Sequence, residues 1–353
     1  MNKPKYYNCR GCLHIHSTYS DGSGSVEEIM RAANEAGLDF TVITDHNSLG
    51  ALQDGLEGWR GRSLALVGVE ISLAAGHYLA LDVPPDLKWI KQDVQGTIDR
   101  VNEAGGYGFL AHPLARWKWK DWGVTGYRGI EIINISTLFS EMAKSRPGRL
   151  LFDFGRDGFA GSEHAMRTVM SDPPTRELQK WTHLLASRKT SVVGGADAHA
   201  LLKLGPIKLR VPSYLDVFRS LHTHALISEP LSGDLEHDKP LIHDALRDGR
   251  FYTAYAVWGD AKVFEFSAKS GPSSAVMGET ISGGSAPVIL SIRVPGDRPV
   301  IMRLYCGETV VLEMNDMEAE TRAQGKGAYR VEIYQLRGRR LVPWIISNAI
   351  YVE

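Results

Sequence analysis

Three cysteines in 353 residues are too few for a disulfide framework. Two of them, Cys9 and Cys12, form a C-x-x-C. Such a pair reads as a redox couple, as half a zinc knuckle, or as a chance pairing at the start of a strand. No second C-x-x-C exists and the flanks lack a βαβ redox pattern, which favours the chance pairing. Charge of one sign is also scarce: 40 Lys and Arg against 41 Asp and Glu leave a net charge of −1. That argues against nucleic-acid binding by bulk electrostatics, which requires a strongly basic surface. No apolar run reaches the length of a membrane span. Met1–Arg10 carries Lys3, Lys5 and Arg10 and lacks the apolar middle of a secretion signal, so a cytoplasmic location is expected. Internal repeats and low-complexity tracts are absent.

What is present is an ordinary globular composition, with 43% hydrophobic and 23% charged residues. The length suits two domains and a large core. Val26–Ala36 has apolar residues at helical spacing, Glu27 and Glu28 in its first turn, and Gly37 as a stop. Phe40–Thr44 follows as a short buried strand. The alternation continues with strands at Leu64–Val69, Tyr78–Leu81, Gly108–Ala111, Ile130–Ile135 and Ser191–Gly194, and helices at Val94–Glu103, Thr175–Ser187 and around Asp216–Leu221. This is an α/β pattern with a mainly parallel sheet, either a barrel or doubly wound. From Lys262 the helical periodicity fades, and short strands separated by Gly, Ser and Pro suggest a β-sandwich. The expected division is residues 1–257 and 258–353.

Histidines and acids gather where strands end. His14 and His16 are two apart on a strand, which places both imidazoles on one face. Asp21 lies in the next loop, Asp45 and His46 end the second strand, and Glu70 ends the third. His77 opens the next strand, His112 ends another, and Asp197 and His199 end the last. In an α/β barrel these ends converge on one rim. Any one of these residues has an ordinary structural explanation. Together they have none, because burying so many imidazoles and acids without a cation leaves polar groups unpaired. Imidazole with carboxylate is the ligand chemistry of zinc, manganese and iron. Asp45 aside, these nine ligands exceed one ion and suit two or three divalent ions, with a carboxylate bridging.

In this order, His14-x-His16, Ser20-Asp21-Gly22, Thr44-Asp45-His46, Glu70, His77, Ala111-His112-Pro113 and Asp197-x-His199 resemble the polymerase and histidinol phosphatase (PHP) family over residues 9 to 255. The resemblance implies a distorted seven-stranded β/α barrel. It implies a first metal on His14, His16, Glu70 and Asp197, a second sharing Glu70 with His77 and His112, and a third on Asp21, His46 and His199. Asp21 stands where some members have histidine. Gly249-Arg250-Phe251-Tyr252 and Pro343-Trp344-Ile345-Ile346-Ser347-Asn348, within an all-β tail, resemble the carbaryl-hydrolase-like branch.

The expected activity is that of a metal-dependent phosphoesterase cleaving a small phosphomonoester or phosphodiester with a metal-bridging hydroxide. Asp45 or His199 would orient water or protonate the leaving group. Arg116 is the candidate phosphate ligand, in a loop with Trp117, Lys118, Trp119, Lys120 and Trp122. The same loop also reads as one packed on the barrel by its tryptophans. Two alternatives stand beside this: a carboxyl or carbamate ester hydrolase using the same site, and a non-catalytic metal-binding module. Glu131 and Asn134 read as supports for ligands. The remaining histidines, including His222, His224 and His243, lack strand-end context. Oligomeric state has no sequence signal.

Overall fold

The computed structural model describes residues 6–116, 118–156, 162–204, 207–209, 211–284, 286–296 and 300–353, with backbone alone over 202–204 and 207–209. Its first helix, Val26–Ala36, buries Val26, Ile29, Met30 and Ala33 on one side. The Ser25 hydroxyl accepts the Glu28 N–H and the Glu28 carboxylate accepts the Ser25 N–H, a reciprocal cap. Gly37 ends the helix at φ 73°, a conformation that suits a residue without Cβ.

Strands then pair around a closed circuit. Tyr7–Ile15 runs parallel to Phe40–Ile43, which runs parallel to Ser63–Val67. At Gly68 the chain changes partner, and Val69–Leu73 forms a hairpin with Gly76–Leu81. A Cβ at Gly68 would lie 2.5 Å from the Ala80 carbonyl oxygen, so glycine is required there. Gly76–Leu81 lies antiparallel to Tyr107–Ala111, followed in parallel by Gly129–Asn134 and Ser191–Ala198. Ser191–Ala198 returns to Tyr7–Ile15. Leu13, Phe40, Val42, Leu66, Phe109 and Val193 form one core with Ile242, Ala245 and Leu246 of the helix Leu235–Asp248. A second core contains the apolar face of Val26–Ala36 together with Ile98, Val101 and Trp181 from other helices.

The expected seven-stranded, mainly parallel barrel fits only loosely. The link between Val69–Leu73 and Gly76–Leu81 is two residues long, too short for a crossover, and so makes an antiparallel hairpin. The sheet also runs on. The early part of Tyr7–Ile15 pairs antiparallel with His222–Ile227, that strand with Phe251–Ala254, and that one with Arg340–Ser347. The C-terminal region is sheet-rich. Glu265–Ser270, Ser273–Val276, Ile289–Arg293 and Glu318–Arg322 form a four-stranded sheet. Its Phe266, Leu290 and Ile292 share a core with Met302, Val331 and Ile345 from strands of the main sheet. Asn348 ties this region to the barrel: its Oδ1 accepts the Val192 N–H at 2.7 Å and its Nδ2 donates to the Phe251 carbonyl at 3.0 Å.

The strand expected over Ile130–Ile135 stops at Asn134, whose side chain accepts the Thr137 N–H and caps the helix Ile135–Ser145. Pro147–Arg156 and Glu163–Val169 add two more helices that the periodicity did not suggest. Cys9 and Cys12 are free and buried in different cores. Burial pushes the Cys12 thiol up to about 12, which leaves it unreactive at neutral pH. No helix among the described residues is long and apolar enough to cross a membrane.

Three histidines outside the strand-end set are buried. His243 Nδ1 lies 2.9 Å from the Tyr107 hydroxyl, and His222 Nε2 lies 2.7 Å from the Phe218 carbonyl and donates to it. Burial takes both from the ordinary 6.5 down to about 4, and lowers His224 as well. The folded state therefore holds these rings neutral while the unfolded chain takes up protons below about 6.5. Stability is complete above that pH and is lost as pH falls towards 4, by roughly 1.4 kcal/mol per pH unit for each ring. His243→Leu is expected to be less stable at pH 7, because it strips the Tyr107 hydroxyl of a partner, yet to show a shallower fall in urea midpoint between pH 6.5 and 4.5. A slope equal to wild type would refute the neutral-burial account.

Candidate metal centre

The strand ends converge as expected, but not by simple alternation. In a regular strand Leu13 and Ile15 would share a face, whereas here they lie in different cores. The register shifts between them against both neighbouring strands, and His14 sits in the bulge at φ 64°. The bulge lets His14 and His16 both point at the centre. Asp197 (φ 49°) and His112 (φ 29°) also have positive φ. Such backbone angles cost energy at non-glycine residues, and here they coincide with the convergent side chains.

Glu70 is the hub. It is fully buried, and its Oε2 lies 3.1 Å from His14 Nε2, 3.3 Å from His16 Nε2 and 2.9 Å from His46 Nδ1. Its Oε1 lies 2.7 Å from His77 Nδ1 and 3.1 Å from His112 Nε2. Asp197 Oδ1 approaches His16 Nε2 at 3.0 Å and His14 Nε2 at 3.5 Å. Asp21, half-exposed in the loop after His16, reaches His199 Nε2 at 3.1 Å. Three groups have the spacing to hold a cation: His14, His16, Glu70 and Asp197; His46, Glu70 and His77; and His16, Asp21, His46 and His199.

Polar bookkeeping supports a cation here. His14 Nε2, both ring nitrogens of His16, His46 Nδ1 and Glu70 Oε2 are buried without a hydrogen-bond partner. Orphaned groups of this kind are rare in folded proteins, and five on one cluster fit a ligand set. The electrostatics agree. Burial would raise the Glu70 carboxyl, but the His14 charge, the His112 hydrogen bond and the close approach of His14 and His46 hold it well below the usual carboxylate range. Burial would lower His199, yet the Asp21 hydrogen bond and the charges of Asp197 and Asp21 bring it up to about 9. The His199 contact in turn takes Asp21 down to about 2.

Supports fix the rings. His14 Nδ1 lies 2.7 Å from Glu131 Oε1, which keeps a proton on Nδ1 and turns Nε2 to the centre. Glu131 Oε2 accepts the His112 N–H at 2.6 Å and the Asn134 Nδ2–H at 3.0 Å. His199 Nδ1 lies 2.8 Å from the Asp197 carbonyl, leaving Nε2 for Asp21. The Tyr214 hydroxyl donates to the His16 carbonyl at 2.8 Å, a contact with no sequence signal.

The other expected participants lie differently. Asp45 accepts from the Ser17 N–H and hydroxyl at 2.8 and 2.6 Å and from the Ser20 hydroxyl at 2.5 Å. Both its oxygens shape the loop that carries Asp21. Arg116 is exposed after His112 and lines neither cavity that reaches the cluster. Trp119 is buried, Trp122 lies under Lys180, Lys118 and Lys120 are exposed, and Trp117 lies outside the described residues. Trp119 and Trp122 thus pack this loop.

Residues 13–182 match the model of the PHP domain. An uncharacterized protein of Methanocaldococcus jannaschii is 33% identical over 121 residues, covering 29% of this chain and 67% of that one. The DNA polymerase/3'-5' exonuclease PolX of Bacillus subtilis is 39% identical over 51 residues, 14% of this chain but only 9% of that protein. A two-domain protein from Bacteroides vulgatus, described as containing a predicted PHP-like metal-dependent phosphoesterase, superimposes with a TM-score of 0.45 at 16% identity, over 97% of this chain and 96% of that one. The match over residues 13–182, just under half of the chain, runs from the bulged strand of His14 and His16 through Glu70, His77 and His112, and it is over this segment that the chain is similar to the PHP domain.

Proposed function

We propose that the protein is a metal-dependent hydrolase, and that its substrate is a small phosphomonoester or phosphodiester. The observation that carries this reading is Glu70, a buried carboxylate with five imidazole nitrogens 2.7 to 3.3 Å from its two oxygens. Such a carboxylate suits a bridge between two divalent ions, manganese, zinc or iron. His14, His16 and Asp197 would complete one ion, and His77 and His112 the other. Ions held there would supply Lewis acidity and lower the pKa of water, the chemistry that phosphoryl transfer needs.

The chain's own residues do the rest. Glu131 holds the His14 ring and the His112 backbone against rotation. Asp197 orients His199 through its carbonyl, and Asp21 keeps a proton on His199 Nε2 at neutral pH, where it can pass to a departing oxygen. Asp21, His46 and His199 would instead hold a third ion if one binds, and it would supply charge stabilisation for the departing oxygen. Asp45 acts indirectly, by holding the Ser17–Ser20 loop. Residues 258–353 are proposed as a β-rich C-terminal domain joined to the barrel where Arg340–Ser347 pairs with Phe251–Ala254, and its Pro343–Asn348 segment supports the carbaryl-hydrolase-like placement.

Elemental analysis of the purified protein should find roughly two to three divalent ions per chain. Turnover of p-nitrophenyl phosphate or bis-p-nitrophenyl phosphate should accompany them and be removed by chelation. Turnover of p-nitrophenyl acetate alone would replace the phosphoesterase reading with a carboxyl or carbamate esterase. Bound ions without turnover of any ester would mark a non-catalytic metal module, and no bound metal after supplementation would overturn the metal reading.

A further inference from the structure

A cavity of about 470 Å3 opens beside the centre, with Asp21, Asp197 and His199 among the residues that line it. Its volume falls in the range of small-molecule sites. Two helices that the sequence pattern did not suggest build one wall. Ile135–Ser145 contributes Phe139 and Ala143, and Pro147–Arg156 contributes Leu150 and Phe154. The Phe139 and Phe154 rings lie 6.2 Å apart and nearly parallel, at 27°. Val217 and Pro212 also line the cavity.

We propose that this cavity binds the alcohol portion of the substrate, and that this portion is an apolar group about the size of a substituted ring. The inference rests on the hydrolase reading above, since it places the ester on the metal-ligating side. Ser136, Ser140 and Lys144 also line the cavity, but the hydroxyls that a sugar turned towards Phe139, Leu150 and Phe154 would stay unpaired. A polynucleotide would want several cations, but Lys144 is the only Lys or Arg lining the cavity among the described residues. The second cavity that reaches the cluster, past His112, is walled by Arg146, Arg176, Glu141 and Glu177, and its charges suit an apolar group poorly.

The test compares hydrolysis of 4-tert-butylphenyl phosphate with that of glycerol 2-phosphate, and measures binding of 4-tert-butylbenzyl alcohol by calorimetric titration. Wild type is compared with Ala143→Phe and Ser140→Trp, which fill the cavity. Ser140 is exposed, so the second change leaves folding intact if the first does not, and Leu151→Ser on the same helical hairpin is a control outside the cavity. The ratio of the two kcat/KM values should fall about tenfold or more in both filled variants. Alcohol binding should weaken by a similar factor, with the control unchanged. Failure of wild type to bind the alcohol, or binding and selectivity unchanged in both filled variants, would overturn the cavity assignment. Alcohol binding that the filled variants weaken, with no phosphate ester turned over, would uphold the cavity and overturn the phosphoesterase reading.

Discussion

Glu70→Gln is expected to purify with at least one divalent ion fewer per chain and to lose about 10^3 or more in kcat/KM toward phosphate esters, or about 4 kcal/mol of transition-state stabilisation. The amide keeps the shape of the side chain but removes the charge that faces five imidazole nitrogens. It also turns one acceptor into a donor, pointed at nitrogens that are to face a cation. Since Glu70 belongs to two of the three ligand groups, one substitution weakens both. Elemental analysis and steady-state kinetics check the result, with circular dichroism to show that the fold survives. A variant with full metal content and wild-type turnover would remove Glu70 from the centre of the mechanism.

The second large effect should come from a residue that touches no metal. A Cβ on Gly195 would lie 1.4 Å from Glu131 Oε1, far inside any contact distance. Gly195→Ala must therefore displace the Glu131 carboxylate, and with it the bonds to His14 Nδ1, the His112 N–H and Asn134. The expected outcome is a 10- to 100-fold loss of metal affinity, the usual size when a carboxylate behind a ligating histidine is removed, with a lower thermal midpoint. Glu131→Ala should reproduce the affinity loss. Adding Gly195→Ala to Glu131→Ala should then cost little more, because the atoms that clash are gone. Additive losses in the double variant would show that Gly195 acts by another route.

These two residues mark where the sequence is readable and where it is not. Glu70 and the histidines stand out because strand ends converge and because such residues have no cheap place in a core. Helix Val26–Ala36 is equally legible, since Ser25, Glu28 and Gly37 mark its ends. Gly195 is silent, because its role is a contact with a side chain 64 positions earlier in sequence, and no local pattern encodes that. The bulge at His14 is hidden for the same reason: H-x-H implies a regular strand, whereas the register is set by both neighbours. Asp45 looks like a catalytic acid beside His46, yet Ser17 and Ser20 claim it through folding of the intervening loop. The helices after Asn134 escape because Ile130–Ile135 reads as one β-branched run, and only the Asn134 cap breaks it. The sheet's continuation through Phe251–Ala254 into Arg340–Ser347 pairs segments almost a hundred residues apart.

That last pairing, with Asn348, bears on how the protein matures as it is made. Synthesis runs from the N-terminus, so every residue of the ligand cluster leaves the ribosome well before Asn348 does. Until it arrives, the Val192 amide and the Phe251 carbonyl lack the side chain that satisfies them in the finished fold, and Phe251–Ala254 waits as an uncovered edge. Val192 lies on the strand that carries Gly195 and Asp197. The nascent ligand cluster is thus anchored on a strand whose support comes 156 residues later, and metal loading should lag behind translation of Arg340–Ser347 and Asn348 rather than follow the emergence of the ligands themselves.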